Sequence, residues 1–123
     1  MECKTKIVKY KEVEQLKCMK KEGVDIKDDH KTTYLGAFYD NKLVGVVGWR
    51  MLGNVLRYKT DFVLKEYRGK GIYSKLWKER EDLCDGKNRT VTAFCTEKSI
   101  SMYLSCGFKV FKEGRVKFVK RIV

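Results

Sequence analysis

The sequence lacks proline altogether, contains a single histidine and has no long apolar run. Without proline, its turns must be built from Gly, Asn and Asp residues. A membrane-spanning helix needs about 20 consecutive apolar residues, and a secretory leader needs an apolar segment near its start. Neither pattern is found, so we expect a soluble protein of the cytoplasm with no membrane contact.

Disulfide and metal-binding patterns are missing as well. The five cysteines are widely spaced and form no CxxC pair: Cys3, Cys18, Cys84, Cys95 and Cys106. We therefore expect reduced thiols and no metal site, because His30 stands alone in a polar stretch. A cysteine nucleophile would also want a histidine partner. Cys95 lies in an apolar run and is interpreted as a core residue.

Positive charge is what the chain has in excess. Its 123 residues include 28 Lys and Arg against 16 Asp and Glu, a formal net charge of +12 at pH 7. With 43% hydrophobic residues, residues 1–123 have the composition of one globular domain. Such a field attracts phosphate-bearing ligands and acidic surfaces and repels lysine-rich tails. Lysines scattered over a solvated surface are the plainer alternative.

The order of apolar, β-branched and turn-forming segments predicts an α/β fold. Strands are predicted over residues 5–10, 34–39, 43–51, 55–64, 90–95, 108–112 and 116–122, and helices over 11–22, 72–84 and 96–106. Residues 25–32 are polar and are expected to form a loop. Residues 43–49 are apolar on both faces, which is typical of a central strand. This order predicts a sheet of mixed strand direction with helices on both faces.

A basic, glycine-rich turn joins the predicted strand 55–64 to the predicted helix 72–84. Residues 67–74 read YRGKGIYS. Glycines free the backbone to present N–H groups, and the start of a helix adds its positive end. The turn is therefore a candidate phosphate site. Arg68 and Lys70 either add charge to that site or stand as exposed loop residues.

Two motifs in this order resemble the GNAT superfamily of N-acetyltransferases. The acetyl-CoA loop of that family reads Gln/Arg-x-x-Gly-x-Gly/Ala. Arg68 and Gly71 fill its first two fixed places, and Tyr73 occupies the third. The second motif, YLSCGF at residues 103–108, matches the family's tyrosine-helix-Gly-Phe segment. The resemblance covers residues 34–123 and implies a mixed, mostly antiparallel sheet with helices on both faces.

The resemblance also implies acetyl-CoA as the cofactor and indicates the residues that would bind it. The main chain of the turn would wrap the diphosphate, and the end of the preceding strand would pair with the pantetheine arm. Thr96 stands where the family often has an asparagine that contacts this arm. The expected binding residues are Phe62, Val63, Leu64, Arg68, Gly69, Lys70, Gly71, Ile72, Tyr73, Ser74 and Thr96.

Acetyl transfer needs an amine that loses a proton, a stabilised carbonyl oxygen and a leaving thiol that gains a proton. The resemblance implies that Tyr103 protonates the departing sulfur. The alternative is a core aromatic, since Tyr103 forms one helical stripe with Ile100 and Leu104, but the motif favours the acid role. A backbone N–H near Val63 is the expected donor to the carbonyl oxygen.

The general base is not identified by the sequence. The family often has a glutamate on the strand before the turn, where this chain has Arg57 and Lys59. Asp61 is the one carboxylate of that strand, and an acid on a buried strand is costly unless it is paired or functional. Two interpretations stay open: Asp61 is catalytic, or it forms an ion pair with Arg57 or Lys59.

These features predict an acyltransferase that moves acetyl directly from acetyl-CoA to an amine. The positive charge favours an acceptor that carries or lies beside negative charge, such as a nucleic acid or an acidic protein. The alternative is a GNAT-like protein that modifies bases or binds nucleic acid, and a third candidate is a binding module that has lost catalysis. Aromatic residues available for stacking on bases, or alternatively for the core, are Tyr10, Tyr34, Tyr39, Trp49 and Tyr58.

Overall fold

The computed structural model describes residues 2–22, 24 and 30–123. Within them the chain forms seven strands: β1 (Lys4–Val8), β2 (Thr33–Tyr39), β3 (Lys42–Leu52), β4 (Val55–Val63), β5 (Val91–Cys95), β6 (Lys109–Lys112) and β7 (Lys117–Arg121). Within the same described ranges the chain also forms the α-helices α1 (Tyr10–Val13), α2 (Ile72–Cys84) and α3 (Ile100–Ser105). It forms 3₁₀ helices over Lys17–Glu22, Lys65–Tyr67 and Gly86–Asn88. No helix in these ranges is long and apolar enough to span a membrane.

The strands form one sheet in the order β1-β2-β3-β4-β5-β7-β6. Neighbouring strands are antiparallel except β4 and β5, which run parallel and pair from Leu56–Val91 to Tyr58–Ala93. Beyond these pairs the two strands part, and the sheet opens between their ends. The predicted mixed, mostly antiparallel sheet is confirmed.

Helices cover both faces of the sheet, as predicted. On one face, α1 and the first 3₁₀ helix bury Val13, Leu16 and Met19 against β1 to β4. On the other face, α2 packs Leu76 against β2, β3 and β4, and α3 inserts Tyr103 beside α2. β3 is buried on both faces along most of its length, which the apolar run of residues 43–49 predicted.

A bulge in β4 bends the strand where the sheet opens. Between the pairs Val46–Phe62 and Gly48–Lys59, two residues of β4 stand opposite one residue of β3. One of the two, Thr60, has a left-handed φ of 61°, which is uncommon for a β-branched residue. The extra residue increases the local twist and changes the direction of the side chain at Asp61, the other residue of the bulge.

The prediction of a continuous helix over residues 11–22 is wrong. The chain makes the single turn of α1, and a 3₁₀ helix follows after a break. The N–H groups of Leu16 and Met19 donate to carbonyls three residues back, at Val13 and Leu16. A 3₁₀ helix has three residues per turn, so the apolar spacing 13, 16, 19 keeps one face there but drifts around an α-helix.

Other differences from prediction are smaller. Helix α2 spans the predicted residues, and Leu83 near its end is exposed. Helix α3 begins at Ile100, with Ser99 as its N-cap, instead of at the predicted residue 96. The Thr96 carbonyl accepts from the Ser99 and Ile100 N–H groups in the turn before the helix. The loop predicted over residues 25–32 falls, at residues 25–29, outside the described part of the chain.

Candidate functional site

The opening between β4 and β5 contains two adjoining cavities that share Asp61 and Thr96 in their walls. The outer cavity, about 440 Å³, lies between the end of β4, the turn before α2 and the start of α3. The inner cavity, about 250 Å³, reaches Cys95 and Tyr103 beneath the sheet opening. The site residues predicted from the sequence therefore surround one cleft.

Most of the predicted binding residues line the outer cavity, and the predicted acid lines the inner one. The outer cavity is lined by Phe62, Val63, Arg68, Gly69, Ile72, Tyr73 and Thr96. Leu64, Lys70, Gly71 and Ser74 flank the cavity in the same segment without lining it. Because their side chains are not needed for main-chain binding, this placement fits the role that the resemblance implied for them.

The turn before α2 owes its shape to two glycines in the left-handed conformation. Gly69 has φ 78° and Gly71 has φ 80°, and a side chain at either position would meet open space but a strained backbone. Gly71 is the N-cap of α2 and supplies no capping side chain. The first N–H groups of a helix have no acceptor within it. The turn thus offers an anion site at the positive end of α2.

Tyr73 points into the protein from the first turn of α2. Its hydroxyl donates to the Asp61 carboxylate, and its ring meets Trp77 edge-on with the ring centroids 6.1 Å apart. The tyrosine at the place where the family has a small residue therefore fills space below the helix start. Its backbone N–H keeps its position in the turn.

The end of β4 turns one backbone edge towards the outer cavity. The Leu64 N–H donates to the Val44 carbonyl at 2.8 Å, whereas the Val63 carbonyl accepts from Arg68 Nε at 2.8 Å. The N–H and C=O of one strand residue point to the same side, so the Val63 N–H also faces the opening. Arg68 thus lies along the strand edge with its guanidinium over the Phe62 ring.

Glu22 joins the two sides of the outer cavity at its mouth. Its Oε1 accepts from Arg68 Nη2 and from Lys98 Nζ, each at 2.6 Å. The hydrogen bond from Lys98 and then that from Arg68 hold the pKa of Glu22 below its usual value. Sequence reasoning missed Glu22 because its partners lie 46 and 76 residues away along the chain.

The Asp61 carboxylate is buried and hydrogen-bonded on both oxygens. Arg80 Nη1 donates to Oδ1 at 2.7 Å and Nη2 donates to Oδ2 at 3.0 Å. The Tyr103 hydroxyl donates to Oδ2 at 2.9 Å, and Tyr73 donates to the same oxygen. Asp61 therefore forms an ion pair, with Arg80 of α2 instead of Arg57 of its own strand.

Arg80 is the second residue that sequence reasoning missed. Its side chain is 0% exposed, and its Cζ lies 3.9 Å from the Tyr58 ring centroid and 4.7 Å from that of Trp77. Burial alone would lower the pKa of Arg80, but the charge of Asp61 holds it above its usual value. The available signal was an arginine four residues after buried Leu76, since a buried cation needs an acidic partner.

Tyr103 is both a core aromatic and part of the inner cavity wall. Its ring packs edge-on against Trp77 and Phe108, with centroids 4.7 and 5.0 Å away. Burial, followed by the charge of Asp61, raises the pKa of Tyr103 well above its usual value, so the phenol keeps its proton. Burial also raises the pKa of Cys95 to about 11, which fits a neutral core thiol.

Solved acetyltransferase structures share this fold. PaiA N-acetyltransferase from Thermoplasma acidophilum, in complex with coenzyme A, has a TM-score of 0.77 and 17% identity over 100% of both chains. A GNAT family acetyltransferase from Staphylococcus aureus Mu50 has a TM-score of 0.73 and 21% identity over 98% of each chain. Escherichia coli ElaA has a TM-score of 0.73 and 14% identity over 98% of this chain and 97% of its own. At these identities the likeness establishes the fold.

Sequence comparison establishes the family. No curated protein sequence matches the chain significantly. The sequence model of the acetyltransferase (GNAT) family, however, matches residues 3–108, which include the glycine turn and the second motif. This match confirms the resemblance, the enzyme class, and acetyl-CoA as the cofactor that enzymes of this class use. The chain therefore belongs to the GNAT family of acetyltransferases.

Proposed function

We propose that the protein transfers acetyl from acetyl-CoA directly to an amine that carries or lies beside negative charge. The observation that carries this proposal is the turn before α2. There, the left-handed conformations of Gly69 and Gly71 place the start of α2 at the mouth of the outer cavity, and no side chain caps this helix start. Acetyl-CoA, when bound, supplies the acetyl group and a thiol leaving group.

The residues of the cleft fit this ligand from one end to the other. The N–H groups of residues 69–74 would hold the diphosphate, with charge added by Arg68 and Lys98 at the cavity mouth. The edge of β4 at Val63, whose carbonyl also accepts from Arg68, would pair with the pantetheine arm, and the Thr96 hydroxyl on the opposite wall would contact it. A cavity of about 440 Å³ is of the size that holds small ligands.

The Val63 N–H is the proposed donor to the acetyl carbonyl oxygen. It faces the opening because the Leu64 N–H bonds to β3 on the other edge of the strand, and the Val63 carbonyl points towards Arg68. As the amine nitrogen bonds to the carbonyl carbon, negative charge builds on this oxygen and a fixed N–H stabilises it. The bond from carbon to sulfur then breaks, and the sulfur leaves with the electron pair.

We propose that the acceptor reacts as the free amine and that Asp61 acts as a positioning residue. Among the described residues that line the inner cavity, Asp61 is the one carboxylate, and Arg80, Tyr73 and Tyr103 occupy its oxygens. The amine therefore loses its first proton in solution, and kcat/KM should rise with pH through the pKa of the acceptor itself.

Tyr103 is the proposed acid that protonates the leaving sulfur. Its hydroxyl keeps its proton over the working pH range and lies at the wall of the inner cavity. When Tyr103 turns its proton to sulfur, Tyr73 still donates to Asp61 Oδ2. Arg80 balances the negative charge that the phenolate then carries next to Asp61, until the phenolate takes up the proton that the acceptor nitrogen loses as the amide forms.

The preference for an anionic acceptor is supported by the charge of the site. Arg80 neutralises Asp61, so the inner cavity wall offers little attraction to a cationic acceptor. The formal net charge of +12 repels lysine-rich substrates and steers anions towards the protein. We also propose a cytoplasmic location, because that compartment keeps free thiols such as those of this chain reduced.

The test of the proposed function is the release of free CoA thiol with four acceptors. They are an amine-bearing oligonucleotide, an acidic peptide with one lysine, a lysine-rich peptide and a polyamine. We expect the first two to react faster. Faster reaction of the lysine-rich peptide would overturn the acceptor preference, and bound acetyl-CoA without release for any acceptor would overturn acetyl transfer.

Tyr103→Phe tests the assignment of the acid. We expect kcat to fall by about 10²-fold, the usual contribution of general acid catalysis, with acetyl-CoA affinity unchanged. Tyr73→Phe is the matched control, because it also removes one phenol from Asp61 Oδ2. An equal loss of kcat in both variants would mean that Tyr103 acts only by holding Asp61.

A further inference from the structure

The sheet face opposite α2 and α3 carries a row of cations across five strands. Arg50, Arg57, Thr92, Lys120 and Lys109 stand directly opposite one another in the order β3-β4-β5-β7-β6. Side chains paired in this way project from the same face. Neighbouring strands lie about 4.8 Å apart, so the row spans roughly 19 Å. Four of its five positions are positively charged, and none carries a carboxylate.

A second row on the same face places aromatic rings next to these cations. Phe94 of β5 pairs with Phe118 of β7, and Lys112 of β6 lies opposite Phe118. Lys59 of β4 lines the same shallow groove as Phe94. We call the two rows together the open face. Phe94 is 57% exposed, so more than half of its surface is available to a ligand.

The rings and cations of the open face are in contact with one another. The Phe94 and Phe118 centroids are 5.0 Å apart, and Arg57 Cζ lies 4.7 Å from the first and 6.0 Å from the second. Lys120 Nζ lies 5.8 Å from the ring of Phe111, which is also 57% exposed. Burial and then the charge of Arg50 lower the pKa of Arg57, so these two cations of the row lie close enough to affect one another.

We propose that the open face binds single-stranded nucleic acid, with bases stacked on Phe94, Phe118 and Arg57 and phosphates held by the flanking lysines. Aromatic rings and guanidinium planes on an exposed sheet accept unpaired bases of any sequence. A row of cations provides the charge that the backbone needs. The proposal goes beyond acetyl transfer, since it requires no acetyl-CoA.

This assignment replaces the stacking residues expected from the sequence. The residues Tyr34 and Tyr58 are buried, and Tyr10, Tyr39 and Trp49 pack against the core. Phe94 and Phe118 were not expected, because their exposure depends on which face of the sheet the helices leave open. A second copy of the chain is disfavoured as the occupant, since it would bring like charges together across the interface.

The test is a fluorescence anisotropy titration with labelled single strands of DNA and RNA, about 15 nucleotides long. We expect binding that weakens steeply between about 50 and 200 mM salt, and weaker binding of a duplex hairpin of the same length. Phe94→Ala should weaken binding about tenfold, as expected when one stacking ring is lost. Arg57→Glu should weaken it at least as much and should also reduce the salt dependence.

Two control variants on α2 match these changes. Leu83 is 58% exposed, so Leu83→Ala removes a similar amount of exposed apolar surface as Phe94→Ala. Lys78→Glu, at an exposed position of α2, changes the net charge as much as Arg57→Glu. Both controls should bind within about twofold of the unmodified protein. Thermal melts of all four variants check that each variant keeps the fold.

Three results would overturn the proposal. In the first, Phe94→Ala and Arg57→Glu weaken binding no more than their controls, so that only the overall charge matters. In the second, the duplex binds as tightly as the single strand. In the third, sedimentation shows a dimer that Phe94→Ala dissociates, and no nucleic acid binds. Acetyl transfer is measured separately for each variant, because Phe94 and Lys59 also line the inner cavity.

Discussion

Replacing Glu22 with glutamine should strengthen the binding of CoA. Glu22 holds Arg68 and Lys98 at the mouth of the outer cavity, with 2.6 Å between its Oε1 and each cation. Both cations line the outer cavity beside the proposed diphosphate site. For either to turn towards an anion, its bond to Glu22 must break. The neutral Glu22→Gln side chain weakens this competition and removes a negative charge next to the phosphates.

The size of the effect follows from the exposure of the groups. The Glu22 side chain is 18% exposed and that of Arg68 is 34% exposed, so the pair is partly screened by water. Ion pairs of this kind contribute up to about 1 kcal/mol, which corresponds to roughly fivefold in affinity. We therefore expect CoA to bind about fivefold more tightly to Glu22→Gln than to the unmodified protein.

Isothermal titration calorimetry at fixed low salt measures this change. Glu66→Gln is the matched control, because Glu66 is an exposed acid of the 3₁₀ helix just before the turn. It alters the net charge equally but removes no contact with Arg68 or Lys98. Equal affinities for the two variants would refute the role given to Glu22, and weaker binding to Glu22→Gln would place the diphosphate elsewhere.

Three further predictions concern the buried groups around the site. Arg80→Met should lower the free energy of unfolding by about 3–5 kcal/mol, because it leaves Asp61 buried without a cation; an unchanged urea midpoint would contradict this. Burial alone would raise the pKa of Glu81, but hydrogen bonds, first the one from Arg121, hold it below its usual 4.5. Its contribution is therefore present above about pH 4.5 and lost as pH falls, so the difference in melting temperature between the unmodified protein and Glu81→Gln should shrink from pH 7 to pH 3. Cys95, whose pKa is raised to about 11, should resist alkylation at pH 8 in the folded protein and react after unfolding, as mass spectrometry of the labelled peptide would show.

The features predictable from sequence are those whose signals are local. The helix 72–84 was predicted with its observed bounds because the apolar and turn-forming residues that define it lie within one segment. The turn was predicted because Gly69 and Gly71 supply left-handed conformations that other residues resist. The central strand β3 was predicted because an apolar run without alternation must be covered on both faces.

The features that escaped prediction depend on contacts between distant parts of the chain. The bulge at Thr60 has no sequence signal, because it is set by the register of β3 against β4. The same bulge decides that Asp61 meets Arg80 of α2 and not Arg57, which lies four residues earlier in β4 and contacts Thr92 on the other face. The 3₁₀ helix over 17–22 was read as α-helix, because tertiary packing overrides a weak local preference.

In the proposed mechanism, the turn before α2 holds the diphosphate of acetyl-CoA. A crystal structure of the protein with bound CoA tests this most directly. We predict diphosphate oxygens within about 3 Å of backbone nitrogens between Gly69 and Ser74, with the pantetheine arm along Val63. CoA bound outside the opening between β4 and β5, or a turn whose N–H groups point away from the phosphates, would contradict the account.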